Sequence, residues 1–374
     1  MSFKVYRSKI SYFSGKLEAY LRYKEIPHEI IDSSGRKLLS DIMMEIDFHC
    51  GVKKLPAIRM PDNKWLFDTT PTIQWLDSQY ANHPVIPSDP ALRFLSLLIE
   101  DYGDEWLWRP AMWWRWVPKI SRKTLGSTIM TEVFNAPFLW WYIAQRQSRE
   151  WIWGDGVTRK NSDKVRDMFF EELKFLESVF SNRPFILGNQ PSVADFGYFG
   201  SMFRHFGNDP ESSEVMRNHG PNTYEWLARL WNLKSGSLGD EQKWIFPTES
   251  YWDPLLDRIF NDYLPYLIQN ADAFKNKRKR FNYIGKNHNF KKTKTTVYRV
   301  FCLENIQSEY SNLSPNDKEK INQIFNKYGN IENLLNTSNI ESGLKDFFIM
   351  PKNSLEGKNI KGFRRTKLFG QPRN

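Results

Sequence analysis

Short apolar runs and helical periodicities alternate along the first eighty residues. Phe3-Lys4-Val5-Tyr6 predicts a strand, and Leu17, Tyr20, Leu21 and Lys24 behind it follow helical spacing, with Ser14 placed to cap. His28-Glu29-Ile30-Ile31 predicts a second strand and Lys37 to Phe48 a second helix. Ala57 to Met60 and Trp65 to Phe67 flank the turn formers Pro61-Asp62-Asn63, which predicts a β-hairpin. Pro56 ahead of the hairpin cannot donate a ladder hydrogen bond, so it suits a strand's first residue or an edge that something else uses. Thr69 or Thr70 then caps a helix with Pro71 at its first position and Ile73, Trp75, Leu76 and Tyr80 at helical spacing.

The order strand, helix, strand, helix, hairpin, helix is thioredoxin-like, its first half a right-handed β-α-β unit. The three prolines of Asn82 to Pro90 mark a linker. An all-helical region follows, in which Pro110 is expected to kink or end a helix near Arg109. Ser162 to Asn182 predicts an amphipathic helix with Val165, Met168, Phe169, Leu173, Leu176 and Phe180 on its apolar side. In Gly188-Asn189-Gln190-Pro191-Ser192-Val193-Ala194-Asp195, Ser192 caps the next helix and Asp195 reaches back as a capping box. Beyond the flexible Ser235 to Asp240, Leu255 to Phe274 reads as a helix interrupted by Pro265, and Val297 to Leu303 and Ile321 to Leu335 as ordered segments packed on the helical domain. The expected division is therefore a domain over 1–81, a linker over 82–90, an all-helical domain over 91–234 and a mainly helical, basic extension over 235–374.

Composition adds three points. Aromatic residues make up 16% of the 374 residues, including 15 Trp, which supplies a core despite a lean 40% of apolar residues. The net charge of +10 belongs to the extension, since residues 275–374 hold 21 Lys and Arg against 8 Asp and Glu. Its runs at 275–280 and 291–294 suit anionic partners, but no zinc spacing or nucleic-acid-binding signature accompanies them, and nucleic acid is not the expected partner. Cys50 and Cys302 carry no metal or redox spacing, and neither a signal-like apolar segment nor a run of ~18 apolar residues is present, so a cytoplasmic protein without a membrane span is expected.

The stretch from Lys53 to Pro71 carries the chemistry. Its hairpin delivers the chain to a helix N-terminus, whose free N–H groups and partial positive charge suit an anionic, peptide-like ligand. Lys53-Lys54-Leu55-Pro56-Ala57, a hairpin, and Asp68-Thr69 before a helix resemble the glutathione-binding signature of soluble glutathione S-transferases, and the capping box at 188–195 resembles that of their helical domain. The resemblance covers residues 1–233. It implies that Pro56 is cis, that the Leu55 backbone pairs with the cysteinyl part of glutathione, that Lys54 or Lys53 meets the glycine carboxylate, and that Asp68 and Thr69 hold the γ-glutamyl end. It also implies glutathione as co-substrate, no metal, and a homodimer. Asp68 and Thr69 stand where Glu and Ser are commoner in the family.

By the same resemblance Ser11, in Lys9-Ile10-Ser11-Tyr12-Phe13-Ser14-Gly15, takes the place of the family's active Ser or Cys. A hydroxyl there would donate to the glutathione sulfur and lower a thiol pKa of about 8.5 by one to two units. Tyr12 competes for this role if the loop shifts by one residue, and Ser14 competes with its plain reading as a helix cap. Lacking Cys, the loop is not set up for glutaredoxin-like exchange.

Glu100 to Trp116 holds four carboxylates, Arg109, Arg115 and five tryptophans. Arg–carboxylate pairing is the expected use of the charges, with no His to suggest a metal. Trp106, Trp108 and Trp113 would line a pocket for the second substrate, or else serve as helix core. The functional expectation is thiolate transfer to a small electrophile, against the alternative of a non-catalytic module of the same fold.

Overall fold

The computed structural model describes residues 2–33, 35–239, 243–337 and 340–353, and of residues 36–40 the backbone alone. Asp240 and the basic end of the extension, 354–374, lie outside the described residues.

Strand β1 (Phe3–Arg7) pairs parallel with β2 (His28–Asp32) and antiparallel with β3 (Ala57–Arg59), and β3 pairs antiparallel with β4 (Trp65–Phe67). The order β2-β1-β3-β4 is that of the thioredoxin-like half expected from the sequence. Strand alternation sorts the sheet's side chains between two faces. Val5, Ile58 and Leu66 join the main core beneath α1 (Tyr12–Tyr23), where Leu17, Tyr20 and Leu21 are buried. Tyr6, Ala57, Trp65 and Phe67 join a second core with α2 (Arg36–Cys50) and with Phe301, Leu344, Phe347 and Phe348 of the extension. Pro56 precedes β3, which lies inside the sheet, so no ladder bond is lost. The open edge is that of β4, and the extension uses it: Trp65 and Lys352 exchange backbone hydrogen bonds of 2.9 and 2.8 Å.

Helix α3 (Thr69–Gln79) starts earlier than its proline suggested, with Asp68 in the cap position. From α3, Asp77 accepts the backbone N–H groups of Val85 at 3.1 Å and Ile86 at 3.2 Å, fixing the linker. The helical domain comprises α4 (Pro90–Glu105), α5 (Trp108–Trp116), α6 (Lys119–Phe134), α7 (Trp140–Trp151), α8 (Ser162–Phe180), α9 (Val193–Ser201), α10 (Pro210–His219) and α11 (Pro221–Asn232). The break expected near Arg109 falls instead at Trp106-Leu107, leaving Pro110 in the first turn of α5, where its missing N–H removes no helix bond. Helices α4 and α9 cross closely enough that a Cβ on Gly197 would lie 2.7 Å from the Glu100 Cα. The capping box forms: Ser192 N–H donates to Asp195 at 2.8 Å, and Asp195 also accepts the Ile186 N–H at 2.9 Å.

The extension holds α12 (Asp253–Arg258), α13 (Leu264–Lys275), α14 (Val297–Ser311), α15 (Pro315–Phe325) and α16 (Ile331–Leu335). A π-turn over Ile259–Tyr263 leads into α13 and absorbs Pro265, so the helix is bulged rather than broken. The two basic runs flank or form an antiparallel hairpin, β5 (Arg280–Ile284) with β6 (Asn289–Lys294), which the sequence reading missed. Some of this charge is paired locally: Arg280 donates to the Gly154 carbonyl at 2.7 Å, and Arg278 pairs with Asp272. Helices α14 and α15 pack on α4. No described helix is long and apolar enough to cross a membrane.

Candidate functional site

A cavity of about 760 Å³ opens between the sheet domain, the helical domain and the extension. Ser8, Ser11, Lys53, Lys54, Leu55, Pro56, Asp68 and Thr69 line one side. The structure thus brings together every residue singled out for glutathione in the sequence, and the Leu55-Pro56 peptide is cis.

Ser11 is the N-cap of α1, which therefore begins before the Ser14 expected to cap it. Its Oγ accepts the Ser14 N–H at 3.4 Å, an interaction that uses a lone pair and leaves the hydroxyl proton free to donate. The loop is anchored from the helical domain by Arg115, a residue whose role the sequence did not reveal. Arg115 Nη1 donates to the Ile10 carbonyl at 2.9 Å while Nε binds Asp209 at 2.7 Å, both side chains being buried.

The two competing hydroxyls are placed otherwise. Tyr12 lines the cavity with its ring but is 1% exposed, and its hydroxyl donates to the Gly103 carbonyl. Burial raises its pKa well above the usual tyrosine range. Ser14 is buried away from the cavity lining, and its Oγ accepts the Ser8 N–H at 3.3 Å. The Tyr12 proton is thus committed to Gly103, and Ser14, whose oxygen accepts as that of Ser11 does, is set apart by lying off the cavity lining.

At the far side of the motif, Asp68 has φ 63°, a left-handed conformation uncommon for a non-glycine residue. One of its carboxylate oxygens accepts the hydroxyl of Tyr298, from the first turn of α14, at 3.2 Å. Burial raises the Asp68 pKa, opposed by nearby Lys54 and by the Tyr298 bond. Lys54 Nζ lies 5.6 Å from the centre of the Tyr298 ring, and Lys53 Nζ 3.6 Å from Asp47. Nothing local in the sequence could link Asp68 to a residue 230 positions later.

The opposite wall is apolar, with Phe13, Met112, Trp116, Ile143 and Trp151. Trp108 lines it, stacked against Phe13 at 6.2 Å between ring centres. Trp106 and Trp113 do not line the cavity. Trp106 is 0% exposed and edge-on to Tyr263, Tyr266, Tyr283 and Phe290 of the extension, and Trp113 is buried with its indole N–H donating to Ser162 at 2.7 Å. The pocket expected from three tryptophans thus has one: Trp106, at the C-cap of α4, is taken up by the aromatic residues of the extension, and Trp113 lies on a buried face of α5.

The charges of the same block pair outside it. Lys16 of α1 is buried between Glu100 and Asp104, Arg109 lies 3.2 Å from Asp155, and Arg115 binds Asp209. His205 lines the cavity, and burial beside Arg115 holds its pKa well below the usual range, which makes it neutral. No group of three potential metal-binding side chains occurs among the described residues.

Two stretches of the chain match family models of known proteins. The family model described as the N-terminal domain of glutathione S-transferase matches residues 5–84, and that of the C-terminal domain matches residues 133–234. Similar solved structures include a GST-like protein from Pseudomonas syringae, 15% identical, covering 67% of this chain and 78% of that one with a TM-score of 0.44. A glutathione S-transferase from Rhodospirillum rubrum F11 is 14% identical over 67% of this chain and 99% of that one, with a TM-score of 0.42. One from Methylobacterium radiotolerans, solved with glutathione sulfonate, is 14% identical over 67% and 100%, with a TM-score of 0.41. No curated protein matches the chain.

Proposed function

The chain belongs to the glutathione S-transferase family, and we propose that it binds glutathione in this cavity and transfers its thiolate to a small electrophile. The observation that carries the reading is the convergence of Ser11, at the N-terminus of α1, with Leu55, Asp68 and Thr69 on one cavity wall. The Leu55 backbone would align the cysteinyl segment, Lys54 or Lys53 would meet the glycine carboxylate, and Asp68 would take the γ-glutamyl ammonium.

The Ser11 hydroxyl would then donate a hydrogen bond to the sulfur while the thiol proton leaves to solvent, and the helix N-terminus would favour the resulting negative charge. Attack by the thiolate forms the new carbon–sulfur bond as the leaving group departs with its electron pair, or as an added proton completes an addition. An electrophile with an apolar or aromatic body suits the wall of Trp108, Met112, Trp116 and Trp151. The homodimer implied by the family would use surfaces other than the β4 edge, which Lys352 covers.

Calorimetric titration with glutathione, paired with a conjugation assay against aryl halide and enone substrates, tests the reading. Binding together with turnover that drops at least about tenfold in Ser11→Ala supports it. Binding without turnover on any substrate selects the non-catalytic module, and no binding at millimolar glutathione rejects both.

A further inference from the structure

Lys279, Arg280 and Lys294 bring three cations of the extension to the cavity lining. The register of the hairpin gathers them: Arg280, which opens β5, pairs across the strands with Lys294, which ends β6, and the Lys279 carbonyl accepts the Thr295 N–H at 3.1 Å. Like charges opposite one another on two strands repel, so this end of the hairpin holds its cations together at a cost in stability. Thr295 beside them is buried and lines the cavity, and its hydroxyl has no partner among the described residues.

The charges of this corner do not balance. Arg109 and Arg299 are matched by Asp155 and Glu105, and Lys294 lies 3.9 Å from Glu150. Arg280 donates to the carbonyls of Gly154 and Lys292, at 2.7 and 2.5 Å, and neither it nor Lys279 has a carboxylate within ion-pairing distance among the described residues. Two positive charges thus border the cavity without a counter-charge, and a cleft so lined concentrates anions.

The same corner continues the apolar wall. Two residues beyond Ser11, the Phe13 ring stacks on Trp108 at 6.2 Å; Trp108 meets Trp151 edge-on at 5.4 Å, and Lys294 Nζ lies 5.5 Å from the centre of the Trp151 ring. Ser11, Phe13, Trp108, Trp151 and Lys294 all line the cavity. An aromatic row therefore runs from the Ser11 loop to the cations, with a lysine against its last ring.

We propose that the second substrate is an electrophile with an anionic group, such as a carboxylate, at the far end of an aromatic body, and that Lys279, Arg280 and Lys294 select it. The inference rests on the transferase reading above and narrows its electrophile; the selecting cations belong to the extension, outside the stretches that the family models match. With the reacting carbon at the sulfur, the body lies along Trp108 and Trp151 and the anion meets the hairpin. For an enone, the thiolate adds to the β-carbon, the π electrons pass to the carbonyl oxygen, and the α-carbon takes a proton from solvent. The anionic group is unchanged and serves binding alone.

The test compares an aryl vinyl ketone bearing an oxyacetate para to its acryloyl group with the primary amide of the same compound, which keeps the shape and the enone but not the charge. Wild type is expected to show a kcat/KM at least about fivefold higher for the acid than for the amide, each divided by its uncatalysed rate, and the preference should fall as salt screens the cations. Lys279→Gln, at an exposed position, and Lys294→Gln should each cut the preference at least about twofold through KM for the acid, while kcat/KM for the amide and the Kd of glutathione stay as in wild type. Calorimetry with the saturated ethyl ketones, which cannot react, makes the same comparison should the chain bind glutathione without turnover. Equal use of acid and amide by wild type, a preference that survives both substitutions, or a parallel loss on both substrates overturns the assignment while the transferase reading stands. Weaker glutathione binding in the variants would give the corner to a carboxylate of glutathione itself and overturns it as well. Neither glutathione binding nor turnover by wild type rejects the parent reading with it.

Discussion

Three hydroxyls lie within four residues of one another at the start of α1, and their surroundings give them different work. Ser11 borders the cavity with its proton free, whereas Tyr12 donates to Gly103 and Ser14 accepts from Ser8. Tyr12→Phe should therefore cost about 0.5–1.5 kcal/mol in denaturant unfolding, one buried hydrogen bond, and leave the thiol pKa of bound glutathione unchanged. A second prediction concerns Asp101, which accepts the Tyr263 hydroxyl and whose pKa burial pushes up to about 7. An acid whose folded pKa exceeds its unfolded value contributes stability that is complete below about pH 4 and is lost as pH rises through about 7. Asp101→Asn should then melt at least ~2 °C above wild type at pH 8, with the difference shrinking toward pH 5. A gap that widens toward acid pH contradicts that placement. The spacing of Ser11, Tyr12 and Ser14 could not rank them, since each is one residue from another register and only burial by α4 and α9 separates their roles.

Among the elements, those with local signals were legible. The hairpin rested on its turn residues, and the capping box on Ser192 and Asp195, which are three residues apart and meet as expected. Asp195→Ala leaves the Ile186 and Ser192 N–H groups open in the core and should cost about 1–3 kcal/mol without altering glutathione affinity. The tryptophan block was legible only as apolar. Five Trp in eleven residues of a helix–turn–helix cover more than one face, so sequence could not say that Trp108 alone of the three meets the cavity. Trp106→Ala should cost about 3–5 kcal/mol of stability by emptying the aromatic cluster of the extension. Trp108→Ala should instead raise KM for the electrophile with a smaller stability loss. Reversed effects in the two variants would show that the wall is misassigned.

For the whole molecule, the extension is part of the fold rather than an appendage. Its aromatic residues surround Trp106, its Phe301, Phe347 and Phe348 close the outer face of the sheet, and Lys352 pairs with β4. Truncation after residue 234 should consequently yield a chain that is insoluble or lacks a cooperative melt, whereas a soluble, cooperative product would mean that the extension packs as a separable unit. The family models match stretches within residues 5–234, whereas residues 295–299 also line the cavity, so a motif-based reading reaches Ser11, Lys53 to Pro56, Asp68 and Thr69 but not the part of the lining that the extension supplies. The account as a whole depends on a thiolate held at Ser11. Its most direct test is the ultraviolet thiolate absorbance of bound glutathione followed against pH, in wild type and Ser11→Ala. The account predicts a bound-thiol pKa one to two units below the free value of about 8.5 in wild type, returning toward the free value in the variant; an unshifted thiol in wild type, or a shift that survives Ser11→Ala, would contradict it.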